Sequence, residues 1–179
     1  MNKIIVILGM CGSGKSVFCD YLVKKGYNKI YFGDVTFDKL KEEGLEMTPE
    51  NERMIRERLR KEGGMGVYAT LNLPKIKEAI KLGDVLVESL YSWDELKILQ
   101  DEFDNVVTIG IVVDKQLRYE RLEKRDYRPF TKKQAIDRDI TEIENSKKAG
   151  PIAYADYYIF NNGTIEELEQ RIEEILKVM

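Results

Sequence analysis

Gly9-Met10-Cys11-Gly12-Ser13-Gly14-Lys15-Ser16 spells G-x-x-x-x-G-K-S. It lies between the apolar run Ile4-Ile5-Val6-Ile7-Leu8 and a helical pattern with Val17, Phe18, Tyr21 and Leu22 on one side. A buried strand, a glycine-rich loop and a helix, in that order, are the setting a P-loop requires. Glycine at 9, 12 and 14 lets the backbone take positive φ angles and approach a polyphosphate, so that successive N–H groups form an anion nest at the positive end of the helix. Lys15 adds a mobile cation for the β- and γ-phosphates, and Ser16 offers a hydroxyl to Mg²⁺. Gly9, Cys11, Gly12, Ser13, Gly14, Lys15, Ser16 and Val17 are therefore the expected contacts of a nucleotide, with ATP and Mg²⁺ as the expected cofactors.

Composition narrows the setting. The 179 residues suffice for one domain with a substantial core, and 43% hydrophobic with 34% charged residues fits a folded globular chain. A net charge of -3 argues against nucleic-acid binding through a general basic surface, though not against a local arginine cluster around a phosphate. Histidine is absent, so imidazole serves neither as base nor as zinc ligand. The two cysteines, Cys11 and Cys19, suggest no disulfide framework and make a reducing cytoplasm the expected compartment. Cys11 reads as a small filler of the loop, with a redox handle as the alternative. The run at 4–8 is too short to cross a bilayer and has no cleavage site behind it, so neither leader nor membrane span is expected. A monomer or homodimer is the expected assembly.

Further along, strand and helix patterns alternate. Lys24-Lys25-Gly26 closes the first helix, and Lys29-Ile30-Tyr31-Phe32 reads as a short strand ending in Gly33-Asp34. Phe37, Leu40 and Leu45 belong to a short helical piece. Thr48-Pro49 starts a helix carrying Arg53, Arg56, Arg58 and Arg60, which breaks at Gly63-Gly64. A helical stretch over about 67–82 precedes Asp84-Val85-Leu86-Val87-Glu88, an apolar run with an acid at its end, as expected of a buried parallel strand. Ser92-x-x-Glu95, Thr131-x-x-Gln134 and Thr164-x-x-Glu167 are capping-box spellings. They start helices that present Leu96 and Leu99, then Arg138, Asp139 and Glu142, then Ile165, Leu168, Ile172 and Ile175, the last four on a buried side. Strands are expected at 106–113 and at Tyr157-Tyr158-Ile159-Phe160. This alternation predicts an α/β fold, a parallel sheet covered on both faces, with ligands outside the carboxyl ends of its strands. Residues 9–16, Asp34, Glu88, Asp114, Asn161 and Asn162 then become neighbours.

Acids at strand ends beside a polyphosphate site suit phosphoryl transfer, which needs Mg²⁺, an in-line acceptor and positive charge over the transferring group. Glu88 is expected to hold Mg²⁺ or its water, the alternative being a helix-capping or salt-bridging carboxylate. Asp34 is expected to orient the acceptor and to take its proton where the acceptor is a hydroxyl, the alternative being a turn or N-cap aspartate. Arg121, Arg125 and Arg128, in the arginine-rich stretch 118–128, are candidates to close over the γ-phosphate.

These features together resemble the small P-loop kinases of the nucleoside monophosphate kinase type, and most closely the adenylate kinase-related and dephospho-CoA kinase-related proteins. The resemblance rests on the P-loop, Gly33-Asp34-Val35, Thr48-Pro49-Glu50-Asn51, Leu59-Arg60 with Gly64-Met65, and the strand to Glu88 with Ser92 and Glu95. It continues through Arg121 and Arg125, Arg138-Asp139, Ala155-Asp156-Tyr157, Asn162-Gly163-Thr164 and Glu166-Glu167-Leu168. It implies one three-layer kinase domain over residues 1–179, with a five-stranded parallel core, an acceptor-binding helical segment at about 34–80 and a small helical lid at about 123–138. It also implies a purine site near Asn161, Asn162 and Gly163. Asp34, Phe37, Arg56, Arg60, Glu88, Tyr91 and Arg138 fall at positions that would face the acceptor.

Phe37 and Tyr91 stand where members of that group commonly carry arginines suited to an acceptor phosphate, and Glu88 replaces an aspartate. Each lost charged hydrogen bond weakens a monophosphate site by about 1–3 kcal/mol. The acceptor is then something other than an AMP-like monophosphate, or Arg53, Arg56 or Arg60 supplies the missing charge. The leading expectation is an ATP-dependent phosphotransferase for a nucleotide or nucleotide-like small molecule. A kinase of a hydroxyl acceptor with Asp34 as base, a nucleotide-hydrolysing regulatory protein and a nucleotide-binding sensor remain as alternatives. A GTPase is disfavoured because no N-K-x-D follows on a later strand, and the chain is short for a ring-forming ATPase.

Overall fold

The computed structural model describes residues 2–179. Five strands, β1 (Ile4–Leu8), β2 (Asn28–Tyr31), β3 (Val85–Glu88), β4 (Val106–Val112) and β5 (Tyr157–Phe160), pair in the order β2-β3-β1-β4-β5. Every pair is parallel. The central position of β1 explains its composition, since a strand buried on both faces reads as an unbroken apolar run. Ile4, Val6 and Leu8 join Val85, Val87, Phe32, Leu96 and Leu99 in the core on one side. Ile5 and Ile7 alternate with them and join Leu86, Ile109, Ile111 and Ile159 on the other.

The described residues form helices α1 (Lys15–Lys24), α2 (Asp34–Glu42), α3 (Pro49–Gly63), α4 (Val67–Ala79) and α5 (Trp93–Glu102). They continue with α6 (Lys115–Lys124), α7 (Lys132–Glu144), α8 (Ala149–Ala153) and α9 (Ile165–Val178). Phe18, Cys19 and Leu22 of α1 and Leu168 and Ile172 of α9 cover one face of the sheet, while α4 and α5 cover the other. Burial raises the Cys19 thiol well above its ordinary range, so this cysteine is an inert core residue. None of the helices is long and apolar enough to cross a membrane.

Most helix starts follow the sequence. Thr48 accepts from the Asn51 N–H at 3.2 Å with Pro49 behind it, and capping boxes form at Ser92/Glu95, Thr131/Gln134 and Thr164/Glu167. Three expectations need correction. Ile165, expected on a buried helix face, is 57% exposed. Helix α4 ends at Ala79 rather than near 82. The five residues of α8, which include Gly150 and Pro151, carry no side-chain cap and too little periodicity to announce a helix.

The capping box at Ser92 also locks α5 to the segment before α4, because the Ser92 hydroxyl donates to Met65 O at 2.8 Å. Its partner Glu95 is 1% exposed and accepts from the Tyr91 and Ser92 N–H groups at 2.6 and 3.0 Å. Burial pushes the Glu95 carboxyl up to about 7, outweighing the two backbone donors and Arg60, which pull it down. Its ordinary value is 4.5, so the folded chain binds this proton more tightly than the unfolded chain. The resulting stability is complete below about pH 4.5 and is lost as the pH rises through about 7. Glu95→Gln keeps an acceptor oxygen and does not titrate. Its stability relative to the parent chain is expected to rise between pH 5 and pH 8 by about 1–3 kcal/mol, read from chemical denaturation at both pH values. An unchanged difference would refute the burial argument.

Candidate functional site

The residues 9–16 leave β1 and enter α1 through positive φ angles at Gly9, Gly12 and Gly14. Gly14 has φ +98, and a Cβ there would lie 2.5 Å from Asn161 Nδ2. That amide is the reason for the close approach: it donates to Ser13 O at 2.9 Å from the end of β5. The first turn of α1 has neither a side-chain cap nor an acidic residue. Its N–H groups therefore face the loop as free donors, the arrangement that receives an anion at a helix N-terminus.

Ser16 and Glu88 meet at this rim, the hydroxyl donating to Glu88 Oε1 at 2.9 Å. Glu88 ends β3, is 5% exposed, and has Lys29 Nζ 3.3 Å from its other oxygen. A hydroxyl beside a carboxylate is a hard oxygen pair that fits Mg²⁺. No group of three or more His, Cys, Asp or Glu is assembled for a metal among the described residues. The pair thus fits Mg²⁺ in its usual mode, with phosphate oxygens and water completing the shell.

A second set of charges presses on the same loop from α6, α7 and the turn after α7. The Cys11 N–H donates to Glu142 Oε2 at 3.0 Å. Arg138 Nε donates to Glu142 Oε1 at 3.0 Å, and Lys148 Nζ lies 3.0 Å from Oε2. Burial acts to raise the Glu142 carboxyl, but Lys148, Arg138 and Lys15 outweigh it and hold the group below its ordinary value. Lys15 donates to Met10 O at 3.0 Å, and burial first, then Lys148, bring its ammonium down to about 8. Arg118 forms a fork with Asp139 at 2.8 and 2.6 Å and donates to Cys11 O at 3.0 Å. Both backbone groups of Cys11 are held, and its side chain packs beside Tyr119, Leu122 and Ala135 as filler.

Other expected site residues are distributed as follows. Arg121 donates to Asn161 O at 2.8 Å and Gly163 O at 3.1 Å. It shares with Gly14, Val17, Asn161, Gly163 and Ile165 a cavity of about 310 Å³ beside the loop. Val17 and Ile165 are exposed because they wall this cavity. A larger concavity, of about 430 Å³ between β5 and α9, shares no residue with the loop. Asn162 Oδ1 accepts from the Asp114 N–H at 3.0 Å. Arg125 turns back on its own loop, donating to Arg128 O at 2.7 Å and stacking on Phe130 at 4.4 Å.

Arg128 reaches across to Glu52 of α3 at 3.5 Å, and Arg56 pairs with the same carboxylate at 3.4 Å. Arg60 lies over the Tyr68 ring at 5.5 Å, with its Nε buried and unpaired. Phe37 packs on the core, and Asp34, at the start of α2, stays exposed. Partial burial raises the Asp34 carboxyl above its ordinary value against the pull of Lys75. Tyr91 has Lys148 Nζ 4.4 Å above its ring, so a cation does come to this place, from a distant segment. Sequence reasoning missed Lys148 because Asn145-Ser146-Lys147-Lys148 is a polar run in which nothing marks one lysine as buried. It also left Glu142 without a role, since a carboxylate four residues after an arginine ordinarily signals a solvated helix pair.

Comparison with known proteins agrees with this geometry. A family model described as an AAA domain matches residues 5–147. A UPF0200 protein of Thermococcus kodakarensis is 32% identical over 178 residues, covering 97% of this chain and 96% of the relative. Another, from Sulfurisphaera tokodaii, is 36% identical over 180 residues, covering 98% and 96%. Among solved structures, shikimate kinase from Bacteroides thetaiotaomicron superposes with TM-score 0.62 over 99% of both chains at 16% identity. Shikimate kinase from Aquifex aeolicus does so with TM-score 0.58 over 97% and 96% at 17% identity. At such identities the likeness is one of fold, that of the P-loop kinases. The chain belongs to the UPF0200 family, whose relatives it matches along nearly their whole length, and it carries that family's sequence on a P-loop kinase fold.

Proposed function

We propose that this protein transfers the γ-phosphoryl group of ATP to a small-molecule acceptor, a nucleotide or nucleotide-like compound. The observation that carries the reading is the meeting of Lys15, the Ser16–Glu88 pair and the cations Arg138 and Lys148 at the end of the sheet where Asp34 also emerges. Residues 9–16 hold the triphosphate, and the cavity walled by Val17, Arg121, Asn161 and Gly163 takes the base. Mg²⁺, held through Ser16 and Glu88, would neutralise charge on the phosphate oxygens. The acceptor lies between the segment at 34–80 and a lid at 123–138. Arg128 of that lid already touches Glu52, whose carboxylate Arg56 shares, and these residues with Arg60, Phe37 and Tyr91 would face the acceptor.

An acceptor oxygen forms its bond to the γ-phosphorus as the bond to the departing ADP oxygen breaks, and Lys15 and Arg138 offset the charge spread over the transferring group. With a phosphate acceptor no proton needs a base. A second reading, a hydroxyl acceptor whose proton passes to Asp34, is favoured by the exposed position of that carboxylate. It also agrees with the acceptor named for the two fold neighbours, shikimate.

A coupled assay with Mg·ATP over nucleoside monophosphates, nucleosides, dephospho-CoA, shikimate and sugars tests the proposal. Turnover of ATP that no acceptor accelerates would refute it. Asp34→Asn separates the two readings. On a phosphate acceptor it is expected to raise KM with kcat nearly unchanged, whereas on a hydroxyl acceptor kcat should fall by about 10²–10⁴. Arg121→Met tests the base site. It is expected to weaken ATP binding by about threefold to thirtyfold, as loss of a cation over a ring would, while inorganic tripolyphosphate, which has no base, binds as before. Equal weakening of both ligands would place Arg121 on the phosphates instead.

A further inference from the structure

Glu142 is a carboxylate placed where an anion belongs. It is 2% exposed, accepts a P-loop backbone N–H, that of Cys11, and is gripped by Arg138 and Lys148. Lys148 is 1% exposed, and its ammonium pairs with Glu142. Its placement is built into the backbone. Lys147 takes φ +56, a left-handed conformation that a lysine rarely adopts, and the chain turns back so that the Lys148 N–H donates to Glu142 O at 3.0 Å. One pair of residues is thus joined through both main chain and side chains, against the loop that binds phosphate.

The charge balance of this cluster is incomplete. Arg138 and Lys148 converge on one carboxylate, Lys15 stands near enough for Lys148 to help lower its ammonium, and the hydrogen bond of Lys15 goes to the neutral carbonyl of Met10. With Lys148 fully buried and Arg138 and Lys15 partly so, the cluster carries more positive charge than Glu142 offsets, and a further anion would be drawn to it. A terminal phosphoryl group carries about two negative charges and several strong acceptor oxygens, which matches what is missing.

We propose that Glu142 is an internal stand-in for the terminal phosphoryl group, and that a nucleoside triphosphate, but not a diphosphate, displaces it from the Cys11 N–H and takes over Lys148 and Arg138. Lys148 thereby becomes a phosphate-contacting residue, and Glu142 a positioning residue that keeps both cations in place until the triphosphate arrives. The inference rests on the phosphotransferase reading, and it adds discrimination by phosphate number to the same site. Tyr91, beneath Lys148, helps to keep that ammonium at the loop.

Calorimetric titration with Mg·ADP and with a non-hydrolysable Mg·ATP analogue tests it. Glu142→Gln is expected to improve the affinity for the triphosphate relative to the diphosphate by about tenfold, by removing like-charge repulsion. Lys148→Met should worsen that ratio by about tenfold, with ADP affinity unchanged. Ratios within twofold of the parent chain in both variants would overturn the proposal and leave the cluster a folding element.

Should a variant fail to fold, the parent chain still decides. Labelling with ¹⁵N-cysteine gives two amide signals, from Cys11 and Cys19. The Cys11 signal is expected to differ between the ADP and triphosphate complexes while Cys19 stays in place. Identical Cys11 signals in the two complexes would overturn the exchange of partners. Failure of the parent chain to bind either nucleotide would instead remove the phosphotransferase reading, and this proposal with it.

Discussion

Within residues 9–16 the backbone is tied locally by the Ser13 N–H to Met10 O at 3.1 Å, and the rest of its hold comes from elsewhere. Three glycines at positive φ give the loop its concave, N–H-lined form, and each carries a larger conformational entropy cost than any other residue type, about 0.5–1 kcal/mol relative to alanine in regular structure. Distant segments therefore hold it. Asn161, from the end of β5, fastens Ser13 O; Arg118 of α6 fastens Cys11 O; and Glu142 of α7 fastens the Cys11 N–H. The positions of β4, β5, α6 and α7 around β1 can be understood as the scaffold for these three contacts.

Holding a phosphate loop with charged side chains raises a second problem, because a lone buried charge is far more costly than the hydrogen bond it makes. The chain answers with pairs. Arg118 is matched in a two-pronged fork by Asp139, whose Oδ2 also accepts from the Tyr119 hydroxyl at 3.0 Å. Glu142 is matched by Arg138 and Lys148. The first arrangement balances itself, whereas the second, adjoining Lys15, has cation to spare. This difference separates the structural clamp from the part of the site proposed to meet another anion.

The side proposed for the acceptor is looser. Asp34 is exposed, Arg128 is exposed and spans to Glu52, and Arg56 shares that carboxylate. Both arginines are partly open to water, which screens their pull on the buried Glu52 carboxylate. The side proposed for the nucleotide is more tightly tied, its cavity framed by Asn161 and the arginine that holds the Asn161–Gly163 turn.

Much of this was legible along the chain because it is written in short-range patterns. The eight residues 9–16, the unbroken apolar runs of β1 and β3, and the capping spellings at Ser92, Thr131 and Thr164 each depend on residues a few positions apart. Together they sufficed for the parallel sheet, its order of elements and the pairing of Ser16 with a strand-end acid. Helical periodicity misplaced Ile165, since it distinguishes apolar from polar faces but not a packed wall from the wall of a cavity. By itself, then, the sequence determined a P-loop on a parallel sheet. Only the tertiary structure decided that Glu142, 131 residues from Cys11, sits on that loop with Lys148 over Tyr91. Burial and charge pairing are set by which segments the sheet brings together, and no local pattern carries that information.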